Sequence, residues 1–569
     1  MIKELVGIAS RGCLLISLQN SVKYTVVSKK KEKSFMIKPT EKTRYLYVYI
    51  LAVIFAGILT LYRRYAKLRY GGNLIFFLCL AAVFAGVLYL AFRFLDYLRN
   101  MDRAPFSKPG MLWFFLLLLA MWTPWFVLCF PGNVAYDSGT SILFGLGIDC
   151  GNVNNPPFQN LLFSTVYRLG AVVNCVDGAV FLYNILQSVA YALCIACALE
   201  QLRRWCVPKP IVIVLLLFYG LCPFVPVYAF TMAKDSNFSV AVFAFSFLLL
   251  KLIIEKDDFV RNKLKMTLLT LSGCALALFR NHGFAIAALG LLAALVLLAR
   301  EHKRGLRWLA AVLCTITVIN FAVPMFLRAP KSDLSESLSI PIQQTAYYFI
   351  HYPDEISEEE YRAVDAVVST ELFKNYNPML SDPIKDQFRD DATKEELLAY
   401  FRVWWQQFLR HPGAYFKALY DQNYIYYTPD TMTSLKPHRI WGYWLDARVY
   451  EQTEFEDPQW PLLQYAKAVD TKLTDLPVIG IFQKIGIYTW ILLATTAYLL
   501  YSRKSRILLA LIPVTVVLIG CCFSPVNGYF RYALPMILTI PSLGVGVIWA
   551  SKGAIRAAVS ESGSDRRAV

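Results

Sequence analysis

An aspartate just beyond a long apolar segment is the residue in this chain with the clearest chemical use. The apolar segment covers residues 112–130, and after a short loop the chain reads Tyr136-Asp137-Ser138. A carboxylate at a membrane edge is costly unless it has a partner or a task. We therefore predict that Asp137 is a general base, which takes a proton from a substrate held at the membrane surface. The alternative is that Asp137 caps the following helix, since aspartate is a favourable N-cap.

Basic residues stand in three further segments that border apolar runs. Lys234 and Asp235 precede one run, Arg280 and His282 link two others, and Arg531 precedes the last. Lysine and arginine can hold an anionic leaving group while charge develops on it, arginine especially through bidentate contact. The alternatives are an exposed ion pair for Lys234 and Asp235, contacts with lipid headgroups for the arginines, and a structural hydrogen bond for His282. Because each segment is short and tethered, we expect these residues to meet Asp137 in one cavity.

Four more polar residues are predicted to contact the substrate: Tyr136, Asn155, Gln343 and Gln344. Asn155 opens an Asn-Pro-Pro sequence shortly after the aspartate. The two glutamines could hydrogen-bond a sugar, and they could equally be ordinary loop residues. Tryptophans at positions 404 to 460 would suit stacking against sugar rings, although each one alone fits an ordinary protein core.

The composition is that of a polytopic membrane protein. Hydrophobic residues make up 57% of the 569 residues and charged residues only 17%, against about a quarter in a typical soluble protein. Apolar runs near the ~20 residues that span a bilayer predict an all-α integral membrane protein. The twelve predicted spans are residues 45–62, 73–95, 112–130, 178–200, 211–228, 238–254, 266–279, 283–299, 307–327, 481–501, 506–523 and 533–550.

The distribution of charge sets the expected orientation. The net charge is +17, yet residues 328–480 hold 24 of the 40 acidic residues and 15 of the 57 basic ones. All but one of the loops rich in lysine and arginine fall on one side of the predicted spans, and the positive-inside rule makes that side cytoplasmic. The exception is the loop between the first two spans, with Arg63, Arg64, Lys67 and Arg69. Either that hairpin is not fully inserted or it departs from the rule. We expect a plasma-membrane protein with both termini cytoplasmic and the acidic insert outside. Its expected partner is the lipid bilayer and not nucleic acid.

The spans and the charge pattern divide the chain into six regions. These are an N-terminal segment (1–44), an accessory hairpin (45–111), a transmembrane core with outer loop 131–177 (112–327), a mainly helical extracytoplasmic domain (328–480), the last spans (481–550) and a cytoplasmic tail (551–569). In the outer loop, residues 157–174 predict an amphipathic helix in the membrane interface. In the extracytoplasmic domain, residues 357–370 and 393–409 predict helices with Ser357 and Thr393 as N-caps.

Cysteines and acidic residues give little support for a metal site. Cys194 and Cys197 form a C-x-x-C pair, but no second pair follows, so zinc binding is weakly supported. Cys150 and Cys175 could pair if the outer side is oxidising. The sequence identifies no cofactor with certainty, and a divalent cation stays possible.

Taken together, these motifs resemble the GT-C superfamily of membrane glycosyltransferases, which use polyprenyl-phosphate-linked sugars. The resemblance covers residues 112–327 and 481–550. It depends on five motifs in order along the outer side: Pro131-Gly132 with Tyr136-Asp137-Ser138, Asn155-Pro156-Pro157, Lys234-Asp235, Arg280-Asn281 and Arg531-Tyr532-Ala533-Leu534-Pro535.

The resemblance implies a first-loop aspartate acting as base, which maps onto Asp137, and basic outer-loop residues that bind the lipid phosphate, including Lys234 and Arg531. It also implies two interfacial helices in the first outer loop, for which residues 157–174 are the clear candidate and residues near 138–147 a weaker one. Relatives often have His-Pro-Pro where this chain has Asn155-Pro156-Pro157. Some also carry paired acids in the first loop, whereas Ser138 follows the aspartate here. These departures weaken a role for that histidine and for a bridging metal.

The resemblance implies inverting transfer of a sugar from a polyprenyl phosphate to a cell-surface glycan, lipid or protein. One alternative is a transporter or flippase for a lipid-linked oligosaccharide, which would place Asp137 at the bilayer midplane. The other is a non-enzymatic envelope assembly protein, in which the surface of residues 328–480 would carry the function.

Overall fold

Helices make up almost all of the regular structure in the computed structural model of the protein. The structure describes residues 41–65, 73–101, 110–148, 155–299, 303–327, 334–429, 442, 443, 445, 447–456 and 458–564. The described residues from 47 onward form one compact unit, and residues 41–46 belong to a second one. The predicted all-α class is confirmed, and the predicted N-terminal segment lies mostly outside the described residues.

The helices and strands of the first part of the chain carry most of the apolar segments. They are α1 (Glu41–Tyr65), α2 (Asn73–Asn100), α3 (Met111–Leu128), β1 (Asn133–Val134), α4 (Tyr136–Leu146), α5 (Pro157–Val172), α6 (Val176–Arg204), α7 (Lys209–Leu221), α8 (Phe224–Ala229), β2 (Thr231–Met232), α9 (Lys234–Glu255), α10 (Asp257–Arg261), α11 (Lys263–Phe279), α12 (Gly283–Leu298) and α13 (Lys303–Phe326).

The remaining helices belong to the outer segment, which we define as residues 334–480, and to the last apolar region. They are α14 (Leu334–Ser337), α15 (Ser339–His351), α16 (Glu358–Asp365), α17 (Asp382–Lys385), α18 (Lys394–Arg410), α19 (Pro412–Asn423), α20 (Ala447–Gln452), α21 (Leu463–Thr474), α22 (Pro477–Ile481), α23 (Ile485–Tyr501), α24 (Ile512–Cys522) and α25 (Phe530–Ser564). Short 3₁₀ helices cover Pro353–Glu355, Thr370–Asn375, Tyr424–Tyr426 and Ser505–Leu511.

Eight helical segments in the described residues are long and apolar enough to cross a membrane, which indicates a membrane-embedded protein. Three shorter apolar helices, α7, α12 and α23, coincide with further predicted spans. The predicted span 211–228 is instead two helices, α7 and α8. Pro223 and Pro226 stand at this break, and proline lacks the N–H that would continue the helical ladder. The count of twelve spans stays a prediction.

A two-stranded parallel sheet, β1 with β2, is the one element type that the sequence did not predict. Asn133 pairs with Thr231 and Val134 with Met232. Residues 442–443 extend it, because Val134 N donates to the Gly442 carbonyl at 3.0 Å. The sheet is small, but it ties the segment before α4 to the segment before α9, two helices that begin directly after their strands.

Polar side chains of α6 donate hydrogen bonds to the backbone of both strand segments. Gln187 Nε2 donates to the carbonyls of Ala229 at 2.9 Å and Thr231 at 2.8 Å. Asn184 Nδ2 donates to the Asn133 carbonyl at 3.3 Å. All these groups are buried, so the hydrogen bonds compensate for lost water and fix the two segments relative to one helix.

Helices α4 and α5 cover the residues of the two amphipathic helices predicted for the first outer loop. They pack against each other, and Arg168 of α5 donates to the Gly145 carbonyl of α4 at 2.9 Å. Their position in a membrane interface stays a prediction.

Both predicted N-caps in the outer segment are confirmed as capping boxes. Ser357 Oγ accepts from Glu360 N and Thr393 Oγ1 from Glu396 N, and each glutamate accepts in return from the backbone of its cap. The predicted helix 357–370 was too long, since α16 ends at Asp365. The Asp365 carboxylate accepts from the backbone N–H of Thr370 at 2.9 Å, which turns the chain away from the helix.

The outer segment also makes hydrogen bonds with the loop that precedes α25. Ser381 N donates to the Pro525 carbonyl at 2.9 Å. Tyr426 OH donates to the Val526 carbonyl at 2.8 Å and accepts from Tyr529 N at 3.1 Å. The start of α25 is therefore positioned by the outer segment.

Candidate active site

The two strand–helix junctions of the small sheet have the same local arrangement. Each strand is followed by an alanine in extended conformation, one variable residue, an aspartate and a serine: Ala135 to Ser138 in one and Ala233 to Ser236 in the other. Each aspartate lies in the first turn of its helix, where the unpaired N–H groups favour negative charge. Parallel strand pairing brings the two junctions side by side.

Asp137 is held by two cations from distant parts of the chain. Its Oδ2 lies 3.1 Å from Lys234 Nζ and 2.8 Å from Arg531 Nη1. The side chain makes no capping hydrogen bond, and Ala135 occupies the N-cap position. Asp137 is therefore not the N-cap of α4, and the capping alternative is wrong.

Asp235 forms the second half of the same charge cluster. Its carboxylate is ion-paired with Arg280 and lies 3.7 Å from Arg531 Nε, with a side chain that is only 2% exposed. Arg531 thus stands between the two aspartates. The interpretation of Lys234 and Asp235 as an exposed pair is wrong, because each residue pairs with other partners in a largely buried position.

Among the residues that the structure describes, the cluster has one cation more than it has carboxylates: Lys234, Arg280 and Arg531 against Asp137 and Asp235. The exposed fractions of the three cationic side chains are between 9% and 17%. Buried charge is costly without compensation, so the surplus cation makes the cluster receptive to one further negative group.

Two tyrosines line the arginines of the cluster. Arg531 lies 4.5 Å from the ring centre of Tyr529 and 5.3 Å from that of Tyr532. Arg280 lies 5.2 Å from the centre of the Tyr532 ring. These cation–π contacts orient the guanidinium groups without neutralising them.

Asn155 joins the predicted base to the predicted phosphate-binding lysine. Its Oδ1 accepts from Lys234 Nζ at 2.6 Å, and its Nδ2 donates to the Asp137 carbonyl at 3.1 Å. A neutral amide can make both contacts at once because it carries a donor and an acceptor. Asn155, which opens the Asn-Pro-Pro sequence, is therefore part of the cluster.

The other predicted site residues have different surroundings. His282 packs its ring edge-on against Phe238 at 5.3 Å, next to Arg280. Gln343 donates to the Asn377 carbonyl, and Gln344 donates to the Tyr415 carbonyl, both within the packing of the outer segment. No contact joins these glutamines to the charge cluster in the described ranges, so their predicted sugar contact gains no support. The side chain of Tyr136 lies outside what the structure describes.

The two cations keep Asp137 ionised. Burial by itself raises the pKa of this carboxyl, but the charges of Arg531 and Lys234 and their hydrogen bonds hold the pKa well below its usual range. Asp137 is therefore deprotonated, as a general base must be, but it is a weak base while both cations contact it.

A divalent cation does not fit this cluster. Asp137 and Asp235 already pair with ammonium and guanidinium groups, and Arg531 lies where an ion bridging the two carboxylates would bind. Adding two positive charges to a group with a surplus of one is unfavourable. In the described ranges no three residues of the usual metal-binding types come together, and the predicted pairing of Cys150 with Cys175 involves a residue outside those ranges.

Sequence reasoning assigned Asp137, Lys234, Arg280 and Arg531 to one site but did not find what joins them. The missed signal was the repeated Ala-x-Asp-Ser sequence, which marks the two equivalent junctions. The tyrosines at 529 and 532 were also left out of the predicted substrate contacts.

A model for a family described as "Family of unknown function (DUF6020)" matches residues 152–561. The match includes Asn155 and the cluster residues from Lys234 to Arg531, whereas Asp137 precedes it. No curated protein and no solved structure matches the chain.

Proposed function

The chain belongs to the DUF6020 family, and we propose that it is a membrane glycosyltransferase of the GT-C type. In this proposal it moves a sugar from a polyprenyl phosphate to a cell-surface glycan, lipid or protein. The observation that supports it most is the charge cluster, in which Asp137 contacts Lys234 and Arg531 and the cations outnumber the carboxylates by one.

The charge of a polyprenyl-phosphate sugar matches this surplus. Such a donor is a phosphodiester with a single negative charge, so its binding would neutralise the cluster as a whole. Arginine offers planar, bidentate contact to phosphate oxygens, and lysine adds a point charge. Lys234, Arg280 and Arg531 are the groups that would hold the phosphate.

The same contacts supply a sequence of chemical events. The acceptor hydroxyl attacks the anomeric carbon, and the bond from that carbon to the phosphate oxygen breaks with inversion. The proton of the hydroxyl passes to Asp137, and the electron pair of the broken bond leaves on the phosphate. As the phosphate draws Lys234 and Arg531 toward itself, Asp137 loses cationic contacts and becomes a stronger base.

The position of the cluster favours transfer over transport. Lys234 and Arg531 lie at the first turn of two apolar helices, α9 and α25, and Arg280 directly follows α11. Transporter sites are typically built near the bilayer midplane from interrupted helices. In the proposal, twelve spans place these helix ends at the outer face, with both termini in the cytoplasm and the donor drawn from the outer leaflet.

The proposal can be tested with a short-chain analogue, citronellyl phosphate, added to the purified full-length protein. We expect cryo-EM density for the phosphate among Lys234, Arg280 and Arg531. The Arg531→Gln variant should bind about tenfold or more weakly, as expected for a lost charged hydrogen bond. Arg389→Gln, which removes a surface ion pair with Asp365, is the matched control and should bind normally. Phosphate density elsewhere, or equal binding by Arg531→Gln, would contradict the proposal.

A further inference from the structure

A separate cavity of about 180 Å³ lies directly beside the charge cluster. Its walls include Phe238, Arg280, His282, Glu336 and Tyr532. Charged, hydroxyl and aromatic groups thus face one small space, which differs from the apolar lining typical of pockets for drug-like ligands.

The cavity and the cluster share two residues. Arg280 lines the cavity and is ion-paired with Asp235, and Tyr532 lines it while its ring contacts both arginines. Arg280 Nε is buried and makes no hydrogen bond within the described part of the chain. A buried donor without a partner is costly, so a ligand that accepts a hydrogen bond there would relieve the cost.

Glu336 is a residue of the outer segment that lines this cavity. Its Oε1 lies 2.5 Å from Lys385 Nζ, and the lysine side chain is only 6% exposed. Lys385 also contacts Asp382 at 3.2 Å and Asp386 at 3.3 Å. Glu336 is therefore held at the cavity wall by a lysine that is itself fixed on three sides.

We propose that this cavity binds the sugar ring of the donor and that Glu336 determines which sugar is accepted. A carboxylate and an imidazole, those of Glu336 and His282, can hydrogen-bond ring hydroxyls, and the Phe238 and Tyr532 rings can stack on C–H groups. The volume corresponds to about six water molecules, which suits one monosaccharide. This inference rests on the proposed function, because it assumes that the phosphate of the same donor binds at Arg280.

The test compares binding of citronellyl methyl phosphate, a phosphodiester with the same single charge as the donor and no sugar (the bare phosphate), with binding of citronellyl-phosphoryl glucose, mannose, galactose and arabinose to the full-length protein. We expect at least one sugar derivative to bind about tenfold more tightly than the bare phosphate, as a charged hydrogen bond to a hydroxyl would give. In the Glu336→Gln variant this gain should be largely lost, while the dissociation constant for the bare phosphate stays unchanged.

Asp382→Asn is the matched control, because it also removes a carboxylate from Lys385 but does not line the cavity. It should keep the gain from the sugar, and its melting temperature serves as the reference for folding of Glu336→Gln. The inference is wrong if no sugar derivative binds better than the bare phosphate, or if Glu336→Gln keeps the full gain. If the bare phosphate does not bind at all, the proposed function fails first, and this inference with it.

Discussion

At the scale of single residues, two aspartates in equivalent local positions have different surroundings. Asp137 keeps 18% of its side chain exposed and contacts the residues that would bind phosphate, whereas Asp235 is almost fully buried beside Arg280. Under the proposed function, this exposure would allow a substrate proton to reach Asp137, while Asp235 would only orient its neighbours. Access to substrate, and not local conformation, would then distinguish the base from the positioning residue.

Replacing Asp137 with asparagine is expected to lower kcat by about 100-fold or more, the usual contribution of a general base. Asparagine keeps an oxygen that can accept from Arg531, so the protein should remain folded. The measurement is transfer from a labelled polyprenyl-phosphate sugar, together with a melting temperature.

The equivalent change in the second junction, Asp235→Asn, is the comparison for that variant. It should act mainly through KM, because it releases Arg280 and Arg531 from their orientation. A fully active Asp137→Asn protein would rule out the assigned base.

The pH dependence of kcat/KM for the transfer should depend on the two cations beside Asp137. Arg531 and Lys234 hold the pKa of Asp137 low, so this carboxylate stays ionised as the pH falls. Its ion pairs therefore still stabilise the folded protein below a pH of about 4, at which an aspartate in the unfolded chain becomes protonated. Lys234→Gln removes one cation, so the acidic limb of kcat/KM should move to higher pH. An acidic limb that does not move upward in Lys234→Gln, measured from pH 2 to 6, would contradict this account.

Many of the individual site residues could be predicted, because polar residues are easily recognised beside apolar runs. Asp137, Lys234, Arg280 and Arg531 all border such runs, and short tethers limit where they can lie. The pairing of Arg531 with both aspartates could not be predicted, since it depends on distances that only the packed helices determine.

At the scale of elements, the junctions depend on a sheet too short to be seen in the sequence. Strands of two residues, such as Asn133–Val134, have no alternating pattern from which a strand can be predicted. The helices were predictable from apolar length and from caps such as Ser357, because those signals extend over whole turns.

Gly132→Ala is expected to disrupt β1 and to lower the free energy of unfolding by about 2 kcal/mol or more. The φ of Gly132 is +121°, and a Cβ there would meet the side chain of Asn184, which holds the Asn133 carbonyl. Thermal unfolding and the yield of folded protein are the measurements.

Gly147→Ala is the control that separates backbone strain from a steric clash in the unfolding measurements on Gly132→Ala. Gly147 also has a positive φ, +83°, but a Cβ there would meet nothing within 4 Å. This variant should cost about 1–2 kcal/mol. Equal losses for the two glycines would show that the contact with Asn184 is unimportant.

At the scale of the whole molecule, the outer segment completes the site that the membrane helices begin. It was predicted as a separate helical domain from its acidic charge, but its contacts with the loop before α25 could not be predicted from composition. Those contacts decide where Arg531 lies, because Tyr426 binds the loop at Val526 and Tyr529.

Tyr426→Phe should therefore weaken binding of citronellyl phosphate about fivefold to tenfold, as expected for a lost hydrogen bond of about 1 kcal/mol or slightly more. Tyr400→Phe removes a buried hydroxyl that bonds to Thr345 within the outer segment, and it should cost similar stability without changing phosphate binding. Identical binding by the two variants would argue against a role of the outer segment in positioning Arg531.

The bond between Asp137 and Arg531 joins residues 394 positions apart, and this separation has a consequence for biosynthesis. The ribosome adds Arg531 long after Asp137, so a nascent chain that has not yet reached α25 holds the aspartate without this arginine. Under the proposed function, such a chain would also lack a group that binds the phosphate, so transfer would begin only once α25 has been made and packed.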